Sequence, residues 1–326
     1  MCTVGAALTE ELCAFAEEVR RPARFYSLAS CAHRPRRACR SRSQLAEAAR
    51  AQILPYWRRP LEVESKHEPD RPEAESPVTI ADRNAERAMR TLIEQRYPQH
   101  GIYGEELGSV RVEAEYVWVL DPIDGTKSFI TGKPLFGTLI GLCHRGVPMI
   151  GVIDQCVLRE RWVGVRGVRT TLNGTSVRAD GKRRLADAML YATTPHMFAD
   201  GFEADRFAAL RALVKRPLYG CDCYAYALVA SGFGADLVVE ADLGLYDYAA
   251  LVPVLLGAGG CMSDWNGEEL TIARHAASKG RVCAAANAEL HSATIAVLRQ
   301  VHGPADGTSG KGDERKRGRE ESDASA

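Results

Sequence analysis

Apolar positions recur at helical spacing in QLAEAARAQILPYWRR, and they predict a helix over 44–59; residues 8–19 carry the same signal. A further helix starts in SPVTIADRNAERAMRTLIEQRYP, where Ala85, Met89, Leu92 and Ile93 share one face and Asp82 caps or precedes the run. GIYGEELG reads as a strand end and turn, and YVWVLDPIDGTKSF as a buried strand leading through a turn into a helix. From about 135 to 165 the pattern becomes β, with LFGTLIGLCHRG, VPMIGVIDQCV and RERWVGVRG separated by glycine turns. The second half alternates. Strands are predicted at 187–193 and 217–220 and within ADLVVEADL and CMSDWNG. Helices are predicted at 201–215, at 223–233 and in YDYAALVPVLLGAGG. Such alternation implies an α/β chain whose sheet is covered on both sides.

Polar stretches divide this pattern. Residues 20–43 are rich in Arg and Ser and contain no acid, which predicts a mobile insertion between the first two helices. Residues 60–76 form a Pro-rich polar loop, and the tail from 303 is too poor in apolar residues to fold alone. The expected organisation is therefore 1–43 as a helix plus basic insertion, 44–184 and 185–302 as two halves, and 303–326 as a disordered tail. No internal repeat is found.

Composition narrows the function classes. The 326 residues carry no net charge, with 46% hydrophobic and 26% charged residues, so nothing in the overall charge calls for nucleic acid or an anionic membrane. No apolar run approaches the roughly 20 residues that span a bilayer. The first 21 residues place acids inside their apolar stretch and do not fit a secretory signal. The ten cysteines are scattered, and Cys143, Cys156, Cys261 and Cys283 lie in apolar stretches, which predicts free thiols in a reducing compartment, the cytoplasm. The Arg- and Ser-rich stretch leaves an organellar address as the alternative.

The candidate chemistry centres on Trp118-Val-Leu-Asp121-Pro-Ile-Asp124-Gly125-Thr126. A strand leaves the core and delivers two aspartates to one turn, where they repel unless a cation lies between them. Hard carboxylate oxygens suit Mg²⁺. Gly125 allows close backbone approach, and Thr126 opens a helix whose N–H groups favour phosphate. An Asp-capped turn is the plainer reading of the same residues. Glu105 after Gly104, Asp82 after Thr79, and Asp247 before an apolar helix could join this site. A charged turn and two helix caps would equally account for them.

Glu105, Asp121-Pro-Ile-Asp124-Gly-Thr126 and Asp247, in this order, resemble the metal-site signature of the inositol-monophosphatase superfamily over most of residues 44–300. The resemblance implies that Glu105, Asp121, Asp124, Asp247 and the backbone carbonyl of Ile123 hold two or three Mg²⁺ ions. Asp82, Thr126 and Glu105 would take the proton of the attacking water, and Gly125 and Thr126 would hold the phosphate. It also implies a layered α-β-α-β-α sandwich, a homodimer and inhibition by lithium.

SPVTIADR, TLNG, DCYAYAL and DLVVEADLGLYDYAAL resemble the histidinol-phosphate phosphatase branch in particular. Asp222 and Glu240 add carboxylates suited to a substrate bearing an ammonium and an imidazole, as histidinol phosphate does. Helix capping is the alternative for Asp222, and Glu240 could equally accept sugar hydroxyls. The expected activity is hydrolysis of histidinol phosphate in histidine biosynthesis. Inositol monophosphate or another sugar phosphate is the alternative substrate, and a catalytically silent scaffold is the alternative of another class. The sequence departs from the family in a longer loop between Lys66 and Ser76, where Asp70 is the candidate partner for Lys66, and in His196, which reads as a surface residue.

Overall fold

The computed structural model describes residues 36–66 and 76–299, so the readings for the helix at 8–19, for Asp70 and for the tail lie outside the described residues. Helix α1 (Arg36–Ile53) begins before residue 44, inside the segment expected to be a mobile insertion. Arg and Ala are good helix formers, so the helix extends back without needing an apolar stripe there. It ends before 59 as well, tightening at Leu54–Tyr56 into a 3-10 turn that contains Pro55.

Strands β1 (Val63–Lys66) and β2 (Ser76–Thr79) pair antiparallel and lead into α2 (Ile80–Arg96). Thr79 is the N-cap of α2, and Asp82 completes the cap from inside the helix. The Thr79 hydroxyl accepts the Ala81 N–H, while Asp82, at the third helical position, reaches back to the Thr79 N–H. Ala81, Ala85, Met89 and Ile93 then pack with Ala46, Ala49 and Ile53 of α1.

The larger sheet contains β3 (Gly101–Gly104), β4 (Ser109–Val110), β5 (Tyr116–Asp124), β6 (Gly137–His144), β7 (Val147–Gln155), β8 (Glu160–Val165), β9 (Val168–Leu172) and β10 (Thr175–Ser176), in the order β10-β9-β8-β7-β6-β5-β3-β4. Helix α3 (Thr126–Ile130) connects β5 towards β6. Side chains alternate across this sheet as the strand period requires. Trp118, Leu120, Ile140 and Val152 pack with α1 and α2, whereas Val119, Leu139, Ile153 and Trp162 pack on the opposite side. Each such buried Leu or Ile stabilises the fold by about 2 kcal/mol.

The second half supplies β11 (Met189–Ala192), α4 (Phe202–Leu213), β12 (Arg216–Tyr219), α5 (Cys223–Ser231), β13 (Leu237–Glu240), α6 (Leu245–Tyr248), α7 (Leu251–Gly257), β14 (Cys261–Ser263), α8 (His275–Ser278), β15 (Val282–Ala285) and α9 (Ala288–Arg299). Its sheet has the order β12-β11-β13-β15-β14. YDYAALVPVLLGAGG forms two short helices, α6 and α7, rather than one.

Residues of α5 and α7 pack with Val238, Val282 and Ala284 of the smaller sheet as well as with the larger sheet, so they lie between the two. Phe207 and Leu210 of α4 and Leu290 and Leu298 of α9 cover the other face, meeting Leu190, Leu237 and Val239. The layers are therefore α-β-α-β-α. Among the described residues, no helix is long and apolar enough to cross a membrane.

Candidate active site

In a regular strand, residues three apart point to opposite faces. Asp121 and Asp124 escape this rule through a bulge. Asp121 pairs with Leu139 and Asp124 with Gly137, so β5 spends one more residue than β6 between those pairs. Pro122 has no N–H to lose at the irregularity, and its carbonyl accepts the Thr138 hydroxyl at 2.8 Å. Ile123 is anchored in the core beneath. The bulge allows both carboxylates to meet Asp247 at the start of α6, and ligand oxygens of the three lie within 4.8 Å of one another.

This cluster is electrostatically unfavourable by itself. Burial pushes Asp121, Asp124 and Asp247 well above the usual carboxylate range. Glu105 adds to the effect at Asp121 and Asp247, as does Asp222 at Asp124. Asp121 Oδ1 is buried and has no hydrogen-bond partner. An orphaned carboxylate oxygen among converging carboxylates fits a hard divalent cation such as Mg²⁺. Glu105 lies at the end of β3, and its N–H donates to the Leu120 carbonyl at 3.1 Å, beside Asp121.

The capping alternatives prove compatible with this grouping. Asp247 Oδ2 accepts the Gly244 N–H at 2.6 Å and so caps α6. Asp82 Oδ2 accepts the Thr79 N–H at 2.9 Å and its hydroxyl at 2.5 Å, while Oδ1 is buried without a hydrogen-bond partner. Burial raises Asp82 to about 6, with Glu105 contributing. The Thr126 hydroxyl donates to the Ile123 carbonyl at 2.9 Å, so no hydrogen bond joins Thr126 to Asp82 Oδ1. That carbonyl keeps a second lone pair.

Gly125 precedes α3 with φ +88, a conformation that favours glycine, and a Cβ there would meet Asp222 Oδ2 at 2.8 Å. Asp222 thus packs directly over the turn that follows the aspartates. It stands at the start of α5, yet its side chain makes no cap; the Cys223 N–H instead donates to Asp124 Oδ2 at 2.5 Å. Ser128 and Thr193 offer hydroxyls to the Asp222 carboxylate at a long 3.4 Å each. Burial and the neighbouring Glu240 raise Asp222 to about 7.

Glu240 lies behind this position, buried, with Oε1 accepting the Thr193 N–H and Oε2 accepting the Tyr226 hydroxyl, both at 2.7 Å. His196 is exposed, as the sequence implies. Sequence reasoning missed Ser128 and Thr193, for which no motif stood out. It also missed Glu86, because a charged residue inside a helix is usually solvated and nothing local marks it.

The profile of the inositol monophosphatase family matches residues 38–302. The chain belongs to that family. An inositol monophosphatase from Zymomonas mobilis superposes with a TM-score of 0.70 at 39% identity, covering 81% of this chain and 98% of its own. The bifunctional phosphatase IMPL2, chloroplastic, of Arabidopsis thaliana is 48% identical over 260 residues, 78% of this chain and 72% of the plant protein. The histidinol-phosphatase of Chlorobaculum parvum is 34% identical over 257 residues, 76% of this chain and 95% of the bacterial one. As an inositol monophosphatase family member, the chain is a phosphatase of small phosphorylated substrates, and the acidic triad is its candidate metal centre.

Proposed function

We propose that this chain is a Mg²⁺-dependent phosphomonoesterase that hydrolyses histidinol phosphate to histidinol, a step of histidine biosynthesis. The observation that carries the substrate choice is Asp222, whose half-buried carboxylate packs over Gly125, makes no cap and has only long hydrogen bonds. An acid so weakly satisfied beside the phosphate turn favours a substrate that brings positive charge. Similarity to the Chlorobaculum parvum histidinol-phosphatase supports the same choice. Glu240 contributes indirectly in this reading, by holding Thr193 and Tyr226. The alternative, inositol monophosphate, draws support from the Zymomonas mobilis enzyme.

Glu105, Asp121, Asp124, Asp247 and the Ile123 carbonyl would hold Mg²⁺, which supplies a lowered water pKa and stabilisation of the charge on the leaving oxygen. Gly125 and Thr126 direct their N–H groups at the phosphate oxygens. Asp82, with Glu105 beside it, accepts the proton of the attacking water, by way of Thr126 once that hydroxyl turns from the Ile123 carbonyl to Asp82 Oδ1. The new P–O bond forms from that water as the ester P–O bond breaks, and the departing oxygen takes a proton to give the alcohol and inorganic phosphate. No protein nucleophile is needed. Cys223, next to Asp124, is held well above the usual thiol range by burial and by that carboxylate.

The proton acceptor gives a pH signature. Asp82 is raised to about 6 by burial, so kcat is expected to fall as pH drops through that value, or lower once a nearby cation favours the carboxylate. Asp82→Asn should lose the acid limb together with about 10²–10⁴-fold of the rate. An unchanged limb in that variant would assign the proton acceptor elsewhere.

The reading also includes a homodimer, sensitivity to lithium and a cytoplasmic site of action. The free cysteines at 143, 156, 221, 223, 261 and 283 support a reducing compartment. Histidinol, the product, tests the substrate choice. It is expected to inhibit hydrolysis of p-nitrophenyl phosphate competitively, whereas inositol is not. Inhibition by inositol alone would discard histidinol phosphate.

A further inference from the structure

Glu86 is a fully buried carboxylate on α2, one turn beyond Asp82 and one turn before Arg90. Its Oε2 accepts the Glu106 N–H at 2.7 Å, and its Oε1 accepts the Leu107 N–H at 3.1 Å. Arg90 Nε donates to the same Oε1 at 2.7 Å, and the Arg90 guanidinium also reaches the Gly108 carbonyl. A buried carboxylate held in this way has its desolvation offset by three donors, two of them backbone N–H groups of one small structure that Arg90 also reaches.

That structure is the turn carrying Glu105. The turn is fastened on its sheet side by the Glu105 N–H to the Leu120 carbonyl and internally by the Gly104 N–H to the Gly108 carbonyl. Glu86 fastens it on the helix side. The fit is close: a Cβ on Gly104 would stand 2.0 Å from Glu86 Oε1 and 2.5 Å from Arg90 Nη2, so only glycine lets the strand end rest on this ion pair. Asp82, Glu86 and Arg90 stand at successive i, i+4 positions on one helix. One rigid element therefore presents the proton acceptor and grips the turn that bears the neighbouring acid.

We infer that Glu86 is a positioning residue for the divalent-cation site: through the backbone N–H groups of Glu106 and Leu107 it fixes where the Glu105 carboxylate sits, and so sets the affinity of the site for the cation. The inference rests on the proposed role of Glu105 as a ligand. A buried carboxylate gripping two consecutive amides is suited to this task because rotating the turn would break both bonds together. Groups that orient metal ligands in this way typically govern about 10–100-fold of metal affinity.

The test is calorimetric titration of the full chain with Mg²⁺ and, separately, Mn²⁺, at a temperature where circular dichroism shows each variant folded. Glu86→Gln keeps the shape but replaces one acceptor oxygen with a donor, and it is expected to weaken both ions by about tenfold or more. Arg90→Lys keeps the charge and loses the reach to Gly108; it should shift the same affinity to a smaller extent and serves where Glu86→Gln does not fold. Glu105→Gln and the double variant complete a cycle. If Glu86 acts through Glu105, adding Glu86→Gln to Glu105→Gln costs little further affinity. Wild-type affinity in the folded Glu86→Gln or Arg90→Lys protein, or full additivity with Glu105→Gln, would overturn the inference and leave the ligand assignment standing. Unchanged affinity in Glu105→Gln alone would instead remove Glu105 from the site, and the inference with it.

Discussion

Asp124→Asn is expected to abolish turnover, by about 10²-fold or more, while leaving the protein folded. Asparagine can still accept the Cys223 N–H that Asp124 receives at 2.5 Å, so the start of α5 keeps its cap. What disappears is one negative charge from a buried group of like charges. All three clustered aspartates have raised pKa values, so the cation-free folded state binds more protons than the unfolded chain. Their contribution is therefore fully present below the unfolded carboxylate pKa and is lost as pH rises through the folded values. Neutralising Asp124 relieves part of that cost at neutral pH, and the cation-free variant should melt no lower than wild type.

Cation binding reverses the order. A divalent ion at one hundred times its dissociation constant stabilises wild type by about 2.7 kcal/mol, and Asp124→Asn should show little of this gain. A differential scanning experiment with and without Mg²⁺ reads both effects. Near-normal turnover together with a full Mg²⁺-induced rise in Tm would remove Asp124 from the metal site.

Asp222→Asn has the second large effect, on selectivity. The substitution is isosteric and can retain the Ser128 and Thr193 contacts, so it removes charge and little else. Losing one partner of a buried charge pair costs about 2 kcal/mol or more, roughly 30-fold in kcat/KM for histidinol phosphate. Inositol 1-phosphate brings no cation and should be hydrolysed no more slowly than by wild type. Asp222 is raised to about 7 by burial and Glu240, and a cationic substrate favours its ionised form. The KM for histidinol phosphate is therefore expected to fall as pH rises through about 7, and Asp222→Asn should flatten that dependence. Equal losses on both substrates would make Asp222 a structural residue.

Much of this arrangement was legible along the chain because its signals are local. The apolar run before Asp121 marks a buried strand, and Ala85, Met89 and Ile93 mark the buried face of α2. Tertiary geometry was harder to read. The residues from Asp121 to Gly125 read as a turn at the strand end; the pairing of Asp121 with Leu139 and Asp124 with Gly137 shows instead that β5 continues to Asp124 and that a bulge turns both acids to one side. Asp222 was open between cap and binding residue because the group that relieves it of capping, Asp124, lies 99 positions before the Cys223 N–H that it accepts. Glu240 looked like a free carboxylate, since nothing local shows that Tyr226 and the Thr193 N–H occupy both its oxygens. Glu86 was hidden differently. A charged residue within a helix is usually solvated, and its burial becomes visible only once the turn bearing Glu105 is seen to close over it.

The central claim is tested most directly by phosphate release from purified, folded protein, with and without Mg²⁺, on histidinol phosphate, inositol 1-phosphate and a 3′-phosphonucleotide in parallel. The account predicts release that requires the cation and is fastest by far on histidinol phosphate. Cation-dependent release from the other substrates alone would contradict the substrate, and no release from any of them would contradict the enzyme reading in favour of a silent scaffold.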